Sequence, residues 1–500
     1  AMFSSLSKQE LRYLKNFLNA FHSKGSNKAL ALIELLEKNP ELSQAEAAEY
    51  LYGDPKSKAF IMLKARLTDK ILETLSLGIN LQNNEEFKED PSAYAVIRIL
   101  KQLSAALMLR KRGLGDLAQD IFEKCEKEAD EAGLPEYRLP PLIYLQNIAA
   151  SRLKGNWEYS DKISHSLEQY QTDIMGIGIF DEFNLMTRNH SYFSPENLSW
   201  LKEKIRLLEN RLEQAYTLRS HYFFLNLLVS YYEGVKDYEQ AKESLEELID
   251  LLATHKGLQA KNRLGTPYIK LAAIECMILN FPGALKAAYK ARELYHPKKF
   301  NFFSASLYTI FTHIYLGQIK EARIILGSLR DFRTQKSRIQ SIELTYYLES
   351  CIHLLEGQPK EAYRILGKIQ TVLSDKKGWN SSMRIYEIIL MIEMENYDLA
   401  SARIESLRKH LSKYKGEKRY ADIFRALYLL EKNSFDFQKP KAELEELTYT
   451  LQVSKDWKAI GHEVIRFDVW LVAKYRKGNL LSALKKSFHY PSPNIHEVKN

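Results

Sequence analysis

Apolar residues along most of this chain recur at helical spacing, stop at a short polar break, and then resume. Phe303, Leu307, Phe311 and Ile314 form one such stripe at i, i+4, i+8 and i+11, which describes a helix with one buried face. Leu316-Gly317-Gln318 breaks it, because glycine is costly inside a helix and cheap in a turn. Ala322, Ile325, Leu329 and Phe332 make the return stripe. The next unit repeats the scheme, with Leu344, Leu348, Ile352 and Leu355, then Gly357-Gln358-Pro359, then Ala362, Ile365, Leu366 and Ile369.

A small residue after each break marks the period. Ala241, Ala284, Ala322, Ala362, Ala400, Ala442 and Ala483 follow one another at steps of 38 to 43 residues, and Ala118 and Ser160 extend the series backwards. Alanine at such a point lets two helix backbones approach closely. A fixed period of this length means stacked helical hairpins, each burying its apolar face on its neighbours. Pro282, Pro359 and Pro440 lie just ahead of Ala284, Ala362 and Ala442, in first turns where the missing N–H has no partner to lose. Alternating β-branched runs and Asn-Gly hairpin turns are absent. The expected fold is therefore all-α: a right-handed α-solenoid of antiparallel helix pairs, nine or ten repeats over residues 91–487, with a loose tail at 488–500. Asp173–Pro195, with Met175-Gly176-Ile177-Gly178-Ile179-Phe180, interrupts the rhythm and reads as a distorted repeat or a loop. The unit near Trp200 fits worst.

Residues 1–90 read differently, as a helical domain of their own. Ser7 with Glu10, and Ser43 with Glu46, have capping-box spacing at helix starts. Helices are expected after Ser7, over Asn27–Lys38, over Ser43–Tyr52 and over Lys58–Leu77. The acidic run Asn83–Asp90, closed by Pro91, is the best linker in the chain.

Composition adds little specificity. Hydrophobic residues make up 45 % and charged residues 27 %, enough apolar surface for a long core. Aromatics reach 11 %, read chiefly as filling between long helices. Cys125, Cys276 and Cys351 are far apart and odd in number, which points to buried free thiols in a reducing compartment. No leader and no uninterrupted apolar run of membrane-spanning length is visible, so a cytoplasmic location is expected. The net charge of +9 is spread thinly over the repeats, while residues 1–90 are nearly neutral.

Few motifs carry chemistry. Gly113-Leu-Gly115-Asp-Leu-Ala118 matches a dinucleotide fingerprint in letters, but a helix precedes it where a strand is required. His462-Glu463-Val464-Ile465-Arg466 has arginine where a zinc motif needs its second histidine. Serine-hydrolase elbows, phosphate-binding loops and C-x-x-C pairs are missing. His313 and His353 lie one period apart, which favours a structural role. Neither catalytic, cofactor nor metal residues are assigned, and no enzyme activity is expected.

The segments Asp237-Tyr238-Glu239-Gln240-Ala241, Gly317-Gln-Ile-Lys-Glu321-Ala322 and Gly357-Gln-Pro-Lys-Glu361-Ala362 resemble the second half of tetratricopeptide repeats. The resemblance covers roughly residues 95–485. It departs from the family in its period near 40 and in lacking the family's first-helix pattern. It implies a superhelix that binds proteins or peptides on its concave face, with no chemistry of its own. More faintly, Ser43–Asp54 with Leu63-Lys64-Ala65-Arg66-Leu67 resembles the DNA-binding domain ahead of such repeats in some bacterial transcription activators. That resemblance implies that Lys56, Lys58, Lys64 and Arg66 meet nucleic-acid phosphates through a helix-turn-helix. The other reading of residues 1–90 is a helical cap on the first repeat. The leading expectation is a protein- or peptide-binding adaptor; a transcription regulator is the alternative. Partner identity and oligomeric state are not legible.

Overall fold

A computed structural model of the chain describes residues 3, 6–20, 27–76, 91–151, 158–189, 193–255, 258, 261–297, 299–329, 339–369, 378–414, 418–453, 457 and 463–487. The linker expected at 83–90 and the tail at 488–500 lie outside them. Among the described residues the fold is all-α, with 23 helices and no strand. The molecule divides into two compact units. One comprises Ala1–Met175, Arg211–Arg219 and His255–Ala260; the other comprises Gly176–Asn210, Ser220–Thr254 and Lys261–Asn500.

In the first unit, helices α1 (Lys8–Ala20), α2 (Lys28–Lys38), α3 (Gln44–Tyr52) and α4 (Lys58–Ser76) share a small core. Leu14, Leu18, Leu32, Ile33, Phe60, Leu67 and Ile71 fill it. Both capping boxes form: Ser7 N donates to Glu10 Oε2 at 2.7 Å, and Ser43 N donates to Glu46 Oε2 at 2.9 Å. Asn27 caps α2 by accepting from Leu30 N. A separate core joins α5 (Pro91–Lys111), α6 (Gly115–Glu131) and α7 (Pro135–Ser151) through Ile99, Leu103, Phe122 and Leu145. Within α5, Ser92–Lys111 is the one described helix long and apolar enough, by length and composition, to cross a membrane. Arg98 and Lys101 interrupt its apolar run, and Ile99, Leu103 and Ala106 are packed inside the core.

Next come α8 (Glu158–Asn189), α9 (Pro195–Gln214), α10 (Leu218–Val235) and α11 (Tyr238–Thr254). The hairpin series then continues with α12 (Lys261–Met277), α13 (Phe281–Leu294), α14 (Phe300–Tyr315) and α15 (Ile319–Ser328). It goes on through α16 (Ile339–Leu355), α17 (Pro359–Leu366), α18 (Trp379–Glu393) and α19 (Tyr397–Lys413). It closes with α20 (Lys418–Lys432), α21 (Lys441–Val453), α22 (Phe467–Tyr475) and α23 (Leu480–Ser487). From α11 onwards consecutive helices pack on one another in the order of the chain. A single continuous core runs through them from Cys276 to Leu484.

One turn geometry recurs and explains the period. Gly113, Lys236, Leu279, Gly317, Gly357 and Glu395 all take left-handed backbone, with φ between 59° and 81°. The following residue donates its N–H to the carbonyl five positions earlier at 2.8–3.0 Å: Leu114 to Leu109, Asp237 to Tyr232, Asn280 to Glu275, Gln318 to His313, Gln358 to His353 and Asn396 to Met391. This is the Schellman closure of a helix. A new helix begins one residue later. Its fourth residue is Ala118, Ala241, Ala284, Ala322, Ala362 or Ala400, each with no solvent exposure. Side chains tighten three of these turns at the same i, i+5 spacing. Asn280 Nδ2 donates to Glu275 Oε2 at 2.7 Å, and His313 and His353 place Nδ1 2.7 Å from Oε1 of Gln318 and Gln358. Close approach at the alanine also permits a bond across the hairpin, from Ser350 Oγ to the Ala362 carbonyl at 2.7 Å.

Three expectations need correction. Ala442 is exposed; the fourth residue of α21 is Leu444, fully buried, so the register at this repeat is set by leucine. Ser160 is the third residue of α8 and half-buried, accepting from Gln146 Nε2 at 2.7 Å. The stretch from Met175 to Phe180 is neither loop nor break, since α8 runs unbroken through it. Ile179 and Phe183 are buried and Phe180 packs on Phe223, so tertiary packing outweighs the helix penalty of Gly176 and Gly178, about 1 kcal/mol each.

The turns give a paired prediction. A methyl group placed on Gly357 would meet open space, but the backbone there has φ of +77°, so Gly357→Ala loses about 1 kcal/mol by backbone strain alone. Glu395, exposed at φ 59°, is the converse, and Glu395→Gly gains up to about 1 kcal/mol. Urea unfolding of the two variants checks both signs; equal shifts in one direction contradict the shared turn geometry.

Candidate partner-binding face

The second unit buries α14 more completely than hairpin packing alone explains. Every residue from Thr309 to Tyr315 is buried, although an amphipathic helix needs only one covered stripe. Part of the additional cover comes from α12, with Cys276 Sγ 3.7 Å from Thr312 Oγ1, and part, at Tyr315, from a non-helical stretch far along the chain. Tyr315 Oη donates to the Val464 carbonyl at 3.5 Å, and the Tyr315 ring meets Trp457 edge-on at 6.2 Å. Trp457 in turn donates Nε1 to the Glu463 carbonyl at 3.3 Å. Burial holds the Tyr315 and Tyr347 hydroxyls well above their ordinary range, so both are neutral.

Four charges anchor that stretch. Arg419 of α20 grips Glu463 through Nε and Nη2 at 2.6 and 2.8 Å, reaches Asp468 Oδ1 at 2.8 Å, and donates Nη1 to the Leu451 carbonyl at 2.7 Å. Arg466 binds the other oxygen of Asp468 at 2.6 Å and lies 4.5 Å over the Trp457 ring. Glu463 also accepts from Phe467 N at 2.6 Å, which ties the stretch to the start of α22. Burial alone raises the Asp468 pKa, but Arg466 and Arg419 outweigh it and hold the carboxyl below its usual value. The same balance lifts Arg419: burial opposes its charge, and Glu463 and Asp468 more than restore it. The set is electrically neutral, and its residues are buried together. Glu463 and Arg466 come from the His462–Arg466 stretch, and here they serve as ion-pair partners; His462 lies outside the described residues.

Other polar side chains on the first helices of these hairpins are only half-buried: Tyr222, Asn226 and Glu233 on α10, Lys270 on α12 and Tyr308 on α14. Burial pushes Glu233 up and Lys270 pulls it partly back. Burial, then Cys276, then Glu233 push Tyr308 up to about 12. Lys270 therefore acts on Glu233, and Glu233 on Tyr308, across the helices that carry them. Residue chemistry gives no signal for them, because Glu, Lys and Tyr are common throughout the chain.

The described residues contain no cluster of His, Cys, Asp and Glu able to hold a metal ion. The three thiols are buried and unpaired. Burial raises Cys125 to about 11, Cys276 to about 12 and Cys351 further, so none is a ready nucleophile.

The four nucleic-acid candidates are all exposed. Lys56 sits in the turn after Gly53, the left-handed cap of α3; Lys58, Lys64 and Arg66 are on α4. They do not form one strip. At 100° per residue, Lys64 and Arg66 lie about 160° apart around the helix, and Lys64 donates to Gln44 Oε1 at 2.8 Å. Between them the crest of α4 carries Ile61, Met62 and Ala65, all exposed.

No family model matches the chain, and no curated protein does. Among solved structures it is similar to a STAND protein (signal transduction ATPase with numerous domains) with a tetratricopeptide repeat sensor from Pyrococcus horikoshii. The identity is 10 %, the TM-score 0.34, and the match covers 90 % of this chain and 66 % of that one.

The buried charges carry a stability prediction. Arg419→Met leaves Glu463 and Asp468 short of a cation inside the core and costs about 3–5 kcal/mol. Equilibrium denaturation reads it directly; a loss below about 1 kcal/mol contradicts the assigned network.

Proposed function

We propose that the protein is a non-enzymatic scaffold that binds other proteins or peptides along its row of helical hairpins. One observation carries this reading: the first helix α14 already seats non-helical residues from much later in the chain, with Trp457 and Val464, the latter 149 positions on, lying on Tyr315. Side chains that extend the same kind of surface, from Tyr222 to Tyr308, are left half-buried. Unpaired, inert thiols fit work in a reducing compartment such as the cytoplasm. A photo-crosslinking amino acid at Tyr308 checks the proposal, with one at Ile324, 71 % exposed on α15, as the control. Cross-links to other proteins concentrate at position 308 if the reading holds; equal yields at the two positions, or none at 308, contradict it.

A second reading makes the N-terminal domain a DNA reader, favoured by the α3–turn–α4 arrangement with exposed Lys56, Lys58 and Arg66. It requires binding to random duplex DNA that falls steeply between low and physiological salt and is lost in a Lys64→Ala/Arg66→Ala variant. Salt-independent or absent binding removes this reading and leaves the first untouched.

A further inference from the structure

In the second unit half-buried Arg384 donates to the neutral acceptors Asn380 Oδ1 and Ser406 Oγ. Three other inward-leaning arginines have an acid partner: Arg403 has Glu387, Arg419 has Glu463 and Asp468, and Arg466 has Asp468. Arg292, in the last turn of α13, has none among the described residues. It is half-buried, its Nε is enclosed and reaches no acceptor, and no described carboxylate lies within ion-pair distance. The neighbouring Glu293 is engaged by Lys290 at 3.1 Å. Aromatic rings hold the guanidinium in place instead, with Phe302 of α14 at 5.0 Å and Tyr289 at 5.6 Å from ring centroid to Cζ.

Among the described residues the surroundings offer no compensating anion. His313 has Nδ1 2.7 Å from Gln318 Oε1 and Nε2 2.9 Å from Tyr289 Oη, and burial lowers its pKa. It is therefore neutral, and it fixes the Tyr289 ring against which Arg292 rests. Burial also depresses Arg292 itself. A helix C-terminus and two rings offset part of the cost of this charge. They leave the donors that an arginine presents to planar or tetrahedral oxyanions.

We propose that Arg292, clamped between Phe302 and Tyr289, is a docking site for an oxyanion on a bound protein segment, either an Asp/Glu carboxylate or a phosphorylated side chain. The inference deepens the protein-binding reading by stating the chemistry of the partner, which is acidic. The guanidinium is held ready by stacking, and the partner's anion supplies the charge that the fold withholds.

The test uses the full chain and small anions, so it does not depend on finding the partner or on the cross-linking result. Thermal unfolding is followed with phosphate, with acetate and with chloride at matched ionic strength, in wild type, Arg292→Lys and Arg292→Met. Phosphate or acetate raises the wild-type midpoint above that in chloride, and which of the two does so separates a phosphorylated from a carboxylate ligand. Apparent anion affinity falls about tenfold or more in Arg292→Lys, which keeps charge but loses the planar fork, and the effect vanishes in Arg292→Met. In chloride, Arg292→Met melts no lower than wild type, because removing an unpaired half-buried charge relieves the fold. An Arg292→Met midpoint clearly below wild type in chloride, with equal anion responses in all three proteins, shows a purely structural arginine and overturns the proposal. So does a wild type that responds to neither anion.

Discussion

Everything in the repeat region depends on how tightly one helix can be turned back on the next. A left-handed residue ends the first helix, a single residue bridges, and the second helix starts at once. At six of these turns the fourth position of the next helix is an alanine with no solvent exposure, which lets the two backbones approach closely. The energetic consequence is cooperative rather than local. A hairpin of this kind cannot hide its apolar stripes by itself, so each pair is stable only while its neighbours cover it. The unbroken core from Cys276 to Leu484 is the result.

The same constraint separates structure from function within each hairpin. Second helices spend their small residues and apolar stripes on packing, whereas parts of the first helices remain free to carry tyrosines, acids and lysines. Where the chain covers that surface with its own residues 463–466, desolvation forces a matched set of charges: two arginines and two carboxylates, bound almost atom for atom. Where the surface is left open, single groups such as Glu233 and Arg292 stay imperfectly compensated. Uncompensated polarity in a half-buried setting weakens a fold and strengthens recognition, and both follow from the same missing partner.

Much of this was legible in residue order, and the rest was hidden for specific reasons. Gly317 and Gly357 announce their turns because glycine marks left-handed backbone. Lys236, Leu279 and Glu395 adopt the same conformation without announcing it, and only the alanine four places into the next helix betrays them. That marker misleads at the last step but one of the series: Ala442 keeps the spacing while Leu444 keeps the register. Gly176 and Gly178 suggest a break by propensity, and Ile179 and Phe183 override it by burial. The capping boxes at Ser7 and Ser43 were readable because they are local. The Arg419 set joins residues 49 positions apart, and Arg292 is notable for the carboxylate it lacks among the described residues, which no pattern of letters records.

At the six alanine turns the fourth residue of the following helix is the point of close approach, and a leucine placed there measures it. Ala322→Leu and Ala442→Leu change the same atoms at positions 120 residues apart in the same alanine series. Thermal or urea unfolding of both variants is expected to show a loss of about 1–3 kcal/mol for Ala322→Leu, from overpacking. Ala442→Leu is expected to stay within about 0.5 kcal/mol of wild type, as an exposed surface change does. Equal losses at both sites, or a tolerated leucine at 322, contradict the account.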